Sequence, residues 1–336
     1  MRFLKFKPIF PSLLIYYEKD NFLLETKMKK RWYLLPLLLL LFFLLFCPEI
    51  AFAASKRGLL LWFQSLLPSL LPFMILSNIL IKTNVLEKWI ALPKKLWNIL
   101  FGLSPNGAYA LLLGVFCGYP MGAKVTADLY GSGKISREEA CYLLTFSNHP
   151  GPMFVSSFLL LETLHKEEYI GISFLILYTG SFITSLLFRS GYKKKESHLT
   201  KHKKEVSRRP PLGVIIDTSI MNGFEGITKL GGYIILFSVC SGMIQTFTFL
   251  PAPLRYALLG ITEISTGTAA IAQTACPFFL KYAIIMALTS FGGLCIMAQT
   301  KSMINETSLP LMPYVKGKLC SLAITFLLAL LIVQIV

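Results

Sequence analysis

The sequence predicts an all-α polytopic membrane protein of about seven transmembrane helices and two re-entrant hairpins arranged as an inverted repeat. Three observations carry this expectation. Of the 336 residues, 54% are hydrophobic and only 15% charged, and the mean hydropathy is +0.63, more apolar surface than a water-soluble globule can bury. The basic residues concentrate between long apolar runs. Two further apolar segments are interrupted midway, leaving halves too short to cross a bilayer.

The net charge of +16 by itself would suit a polyanion partner, yet its distribution excludes one. Residues 1–31 carry eight Lys/Arg against three Asp/Glu, and residues 189–211 carry nine against two. Both stretches flank apolar runs, as cytoplasmic loops do under the positive-inside rule, and no nucleic-acid module lies between them. The seven cysteines are scattered singly with no C-x-x-C pair, and the four histidines show no H-E-x-x-H spacing, so neither a disulfide framework nor a metalloenzyme is expected. Gly118–Lys124 has the outline of a phosphate-binding loop but lacks its second glycine, its hydroxyl residue and a preceding strand. No enzyme activity is therefore expected, and the required partner is the lipid bilayer.

The chain divides into a basic N-terminal segment (1–31), a first transmembrane or signal-like helix (32–54), a first repeat (55–190), a basic cytoplasmic linker (191–211) and a second repeat (212–336). The first apolar run ends in Ala51-Phe-Ala-Ala54, as a cleaved signal does, and Met28 is an alternative start to Met1. Crossings are expected at 32–47, 59–81, 136–161, 169–190, 230–249, 277–300 and 316–336. The first full span, Leu59 to Ile81, has 23 residues without a charge, enough for a hydrocarbon core of about 30 Å. Lys29 to Arg31, Lys82, Lys88, Lys94, Lys95, the 189–211 cluster, Lys301, Lys316 and Lys318 all fall in segments assigned to the inside, which puts the N-terminus in the cytoplasm and the C-terminus outside.

The interrupted segments are 105–131, broken at Gly118-Tyr119-Pro120-Met121-Gly122, and 253–275, broken from Glu263 through Ser265, Thr266 and Gly267. Such backbone is tolerated at membrane depth only when it is buried in protein or lines a cavity. Tyr109-Ala-Leu-Leu before Gly114 answers Tyr256-Ala-Leu-Leu before Gly260, and each hairpin precedes a span that is broken again, at Ser147-Asn148-His149-Pro-Gly-Pro152 and at Ser290-Phe-Gly292-Gly293. Three crossings per unit would invert the second copy relative to the first. Secondary transporters share that plan, with half-helices meeting at a midplane site. Candidate binding residues are accordingly Gly118, Tyr119, Pro120, Gly122, Lys124, Ser147, Asn148, Glu263, Ser265, Thr266, Gly267, Ser290 and Gly292. Lys124 sits four residues before Asp128, so an i,i+4 ion pair competes with a role in binding. Glu263 is open to accepting substrate donors, coordinating a sodium ion or carrying a proton as coupling ion. No cofactor is expected.

Gly58 to Phe73, Gly118 to Tyr130, Ser136-Arg-Glu-Glu-Ala140 and Ser147 to Pro152 resemble the YlbJ-type sporulation integral membrane proteins over about residues 45–336. That family contains the nucleoside-recognition Gate domain and is similar to concentrative nucleoside transporters. The resemblance implies endospore formation and movement of dipicolinate, a small anion, from the mother cell across the outer forespore membrane, with other sporulation membrane proteins as partners. Free N–H groups at the half-helix N-termini, with Lys124, would suit a dicarboxylate. Nucleoside transport and a non-transporting role in membrane assembly are the alternatives.

Overall fold

The computed structural model describes residues 34–83, 94–192 and 210–334. The basic segment 1–31, Lys88 and most of the 191–211 linker lie outside the described residues. Every regular element among the described residues is helical. The chain forms two compact units divided after Phe52. In the first, α1 (Leu34–Phe46) is an apolar helix, and α2 (Pro48–Leu60) begins after Cys47.

The second unit holds the rest of α2, a π-helical turn (Leu61–Leu66), α3 (Leu67–Thr83), α4 (Lys94–Leu100), α5 (Pro105–Cys117), α6 (Met121–Gly131) and α7 (Arg137–Phe146). A long π-helical segment (Phe154–Leu164) and a 3₁₀ turn lead into α8 (Ile170–Arg189). After the linker come α9 (Leu212–Gln245), α10 (Ala252–Thr262), α11 (Ile264–Ala272), α12 (Phe278–Phe291), α13 (Gly293–Ile304) and α14 (Met312–Val333).

Four stretches are long and apolar enough to cross a membrane: Glu167–Arg189, Leu212–Gln245, Phe278–Ile304 and Met312–Val333. A fifth is added if α1 and the Pro48–Gln64 helix count as one broken span. Seven crossings therefore do not correspond to seven unbroken helices. The 59–81 run contains a π-turn and Pro72 inside a helix, and 136–161 is divided by the Ser147–Pro152 break. The span expected at 230–249 is instead a 34-residue helix starting at Leu212. At 1.5 Å per residue it is roughly 51 Å long, about 20 Å more than a hydrocarbon core needs, and its charged residues Asp217, Glu225 and Lys229 all fall in its N-terminal 18 residues. Glu225 and Lys229 form a 2.7 Å pair one turn apart on its exposed face.

Local chemistry sets the helix ends. Ser104 caps α5 by accepting from the Gly107 amide, with Pro105 at the first helical position. Ser136 caps α7 by accepting from the Glu139 amide. Glu139 is itself buried and accepts from the Ser104 amide at 2.7 Å, which ties the starts of α5 and α7 together.

Both hairpins form where the sequence placed them, and both close on small residues. In the first, Gly114 of α5 lies against Gly122 of α6, with the Ser147 carbonyl wedged beside them. In the second, Gly260 of α10 lies against Gly267 of α11, and a Cβ on Gly267 would fall inside the backbone of Gly260. Packing between the halves is reciprocal as well. α3 packs on α9 and α8 on α14, while α6 rests on α13 and α11 on the Phe154–Leu164 segment. Each hairpin's second half-helix thus leans on the far half of the broken span in the opposite half of the chain.

Gly267→Ala is expected to destabilise the detergent-solubilised protein by about 1–3 kcal/mol, the usual cost of overpacking a tight contact. Thermal unfolding should show the loss, whereas Gly232→Ala, where nothing lies within 4 Å of an added Cβ, should be neutral or mildly stabilising. In a cysteine-free background, Glu167→Cys should react with an impermeant maleimide in intact cells, and Ser190→Cys only after permeabilisation. Reaction of both from one side would mean that α8 does not cross.

Candidate functional site

The first hairpin break and the first broken span meet directly. The Gly118 φ is +81°, a conformation glycine adopts without a steric cost, and the Tyr119–Pro120 peptide is cis. The Tyr119 amide donates to the His149 carbonyl at 2.5 Å, and the Gly118 backbone is set against Gly151. Asn148 is fully buried. Its side-chain oxygen accepts from the Ala123 amide at 3.4 Å in the first turn of α6, and its amide nitrogen donates to Thr300 Oγ1 at 3.1 Å. One side chain thereby links the first hairpin to α13 of the second half.

The second break is narrower than the sequence suggests. Only Glu263 is non-helical; Ser265, Thr266 and Gly267 already belong to α11. The cause is the Glu263 carboxylate, which accepts from the Ser265 amide at 3.0 Å and the Thr266 amide at 2.8 Å and so starts the helix at once. The expectation of free N–H groups awaiting a substrate at both breaks is corrected by this geometry. The α11 terminus is occupied by Glu263, and a first-turn amide of α6 bonds to Asn148. The second broken span bends at Gly292, whose φ is +86° and which separates α12 from α13.

At the centre stands a residue that the sequence reading assigned to a cytoplasmic connection. Lys318 of α14 is only 4% exposed. Gly317 brings it there: a Cβ at that position would collide with the Thr145 backbone of α7, so α14 approaches α7 closely and the next side chain enters the protein. The Lys318 ammonium donates to the Asn148 carbonyl and, at 2.8 Å, to the Ser290 carbonyl. These carbonyls lie at the two span breaks, where helix C-termini carry partial negative charge. The rings of Tyr119 and Tyr314 flank the ammonium at 5.9 and 6.0 Å. Glu263 is buried, and the chain that leads into it lies against the second span break, where a Cβ on Gly293 would come within 2.9 Å of the Ile261 carbonyl and 3.5 Å of the Thr262 carbonyl.

Lys124 belongs elsewhere. Its ammonium pairs with Asp128 at 2.7 Å, with side chains 18% and 21% exposed. The charged neighbours of this pair include Lys82, Glu225 and Glu306. Among the described residues the side chain of Lys124 bonds to Asp128 and that of Glu263 to Ser265 and Thr266; the structure does not join the two into one site. It does gather Tyr119 and the Asn148 and Ser290 carbonyls around Lys318. The missed member, Lys318, had a sequence signal: a lysine beside a glycine inside an apolar run of helix length.

Several buried polar atoms around this centre have no hydrogen-bond partner among the described residues, namely Tyr119 Oη, Ser147 Oγ and His149 Nε2. His149 Nδ1 is engaged with Ser181 Oγ at 3.0 Å. An ammonium has three donors, and carbonyls take two of Lys318's, leaving one beside two tyrosine rings. Together these groups can receive a small polar or anionic molecule.

The fold and this centre define a multi-pass α-helical integral membrane protein whose interrupted helices converge on buried polar groups. The chain is similar to the sporulation integral membrane protein YlbJ of Bacillus subtilis (strain 168), with 28% identity over 305 residues, 81% of this chain and 75% of the relative. The similarity agrees with the resemblance carried by the hairpin and span-break motifs. No family model matches the chain, and no solved structure does.

Lys318→Met should leave two buried carbonyls without their donor, at a cost of about 1–3 kcal/mol each. Unfolding of the purified protein in detergent measures this, against Lys301→Met on the exposed surface, which should stay within about 0.5 kcal/mol of the parent. Equal stability of the two variants would remove Lys318 from its central role.

Proposed function

We propose that this protein is a secondary transporter or facilitator for a small anionic metabolite, and that the metabolite is dipicolinate moved from the mother cell toward the forespore. The observation that carries the reading is the convergence of two broken spans and the first hairpin on Lys318, with unpartnered polar atoms buried around it. Unsatisfied polar groups are costly in so apolar an interior, and a polar ligand would satisfy them. The sporulation setting rests on the relative's name, and the substrate on the resemblance of the motifs.

In this reading the two halves are inverted copies, and the reciprocal packing of α6 on α13 and α11 on Phe154–Leu164 gives a surface on which one half rocks against the other. Lys318 supplies the positive charge that Lys124, paired with Asp128, does not bring to the centre. Glu263 holds the α11 terminus and is the acidic group through which a proton or sodium ion would couple. The membrane concerned would be the outer forespore membrane.

Proteoliposomes containing the purified full-length chain should accumulate dipicolinate, and Lys318→Met should reduce uptake at least tenfold even where reconstituted protein levels match the parent. Uridine uptake without dipicolinate uptake would favour the nucleoside alternative. Failure of both under imposed proton and sodium gradients would leave a role in membrane assembly.

A further inference from the structure

A second group of residues, outside the central cluster, forms a cleft of about 560 Å³ between the start of α7, the end of α8 and the start of α14. That volume suits a small molecule. Two cations from different elements face it, Arg137 of α7 and Lys316 of α14, together with Glu138. Arg137 and Lys316 are exposed and have no ion-pair partner among the described residues. The three charges leave one net positive charge at the mouth, which draws in anions over neutral molecules.

The wall is aromatic. Tyr142 and Tyr192 are stacked, with ring centroids 4.7 Å apart and planes within 7°. The Tyr142 ring is held in place because its hydroxyl shares its one proton between the Phe101 and Ser185 carbonyls, 2.9 and 3.1 Å away. An exposed guanidinium takes a carboxylate through two parallel hydrogen bonds, and a fixed aromatic pair offers a face to a planar ring. The floor includes Thr145, whose backbone meets Gly317 and so lies one residue from Lys318. The cleft opens at the end of α8 that leads into the basic linker, the cytoplasmic side by charge distribution.

We infer that this cleft is a cytoplasm-facing loading site for a planar aromatic carboxylate, distinct from the Lys318 centre. The substrate class rests on the transport reading above, but the site's test does not depend on transport. Arg137 and Lys316 hold the carboxylates, the tyrosine pair receives the ring, and Glu138 opposes binding through its charge.

Cys141 lines the same cleft and is partly exposed, so it reports occupancy. In full-length protein with Cys141 as its sole cysteine, dipicolinate should slow reaction with N-ethylmaleimide, whereas uncharged pyridine should not. The half-protecting concentration should rise at least tenfold in an Arg137→Gln, Lys316→Gln double variant and fall in Glu138→Gln. If Cys141 does not react, Gly191→Cys at the rim carries the same measurement. Absence of protection, or protection indifferent to loss of both cations, overturns the loading site. Protection without uptake in proteoliposomes would leave the cleft standing and remove the transport reading; uptake without protection would do the reverse.

Discussion

The interior is organised around one interaction, the Lys318 ammonium bonded to the carbonyls of Asn148 and Ser290. Breaking a membrane helix leaves carbonyls with no intrahelical donor, and no water in the hydrocarbon region can replace it. Two such breaks meet here, one from each half of the chain. Like-signed helix ends would repel, so a single positive charge delivered by a third helix stabilises both. Buried ammonium groups are costly to desolvate; this one is tolerated because carbonyl oxygens and two tyrosine faces surround it.

The opposite problem, orphan N–H groups where half-helices begin, has a matching answer. Glu263 caps α11 with its carboxylate, and Asn148 bonds to the first turn of α6. Asn148 thus serves both signs at once: its side-chain oxygen accepts at a helix start, and its main-chain oxygen accepts from Lys318. Such sharing makes the centre compact, and a change at one member should be felt at both breaks. Lys124 with Asp128, and Glu225 with Lys229, form one-turn pairs that keep carboxylates compensated.

Small residues set the distances on which this depends. Gly114 with Gly122 and Gly260 with Gly267 let the two halves of each hairpin touch through backbone, as close helix pairs in membranes do. Gly317 performs the same service between α14 and α7, and without it Lys318 would stop short of the broken spans. The floor of the Arg137–Lys316 cleft is that same contact, so the close approach that positions the central ammonium also defines the distance between the cleft and the centre.

The sequence by itself determined the helical membrane class, the two interrupted hairpins, and the breaks at Ser147–Pro152 and Ser290–Gly293. Each of these is a local property: apolar run length, or a glycine or proline that ends a helix. It also carried the Lys124–Asp128 pair as one of two readings, since a separation of four residues fixes that geometry within one helix. Only the tertiary structure decided which charge reaches the centre. Lys316 and Lys318 look alike in sequence, two residues apart at the edge of an apolar run, yet one faces the cleft and the other is buried. That difference comes from helix rotation and from the partner surface met at Gly317, neither of which is encoded locally. The role of Glu263 was hidden for the same reason, because a carboxylate in a break reads as a free charge until its distances to Ser265 and Thr266 show that it caps the helix that follows.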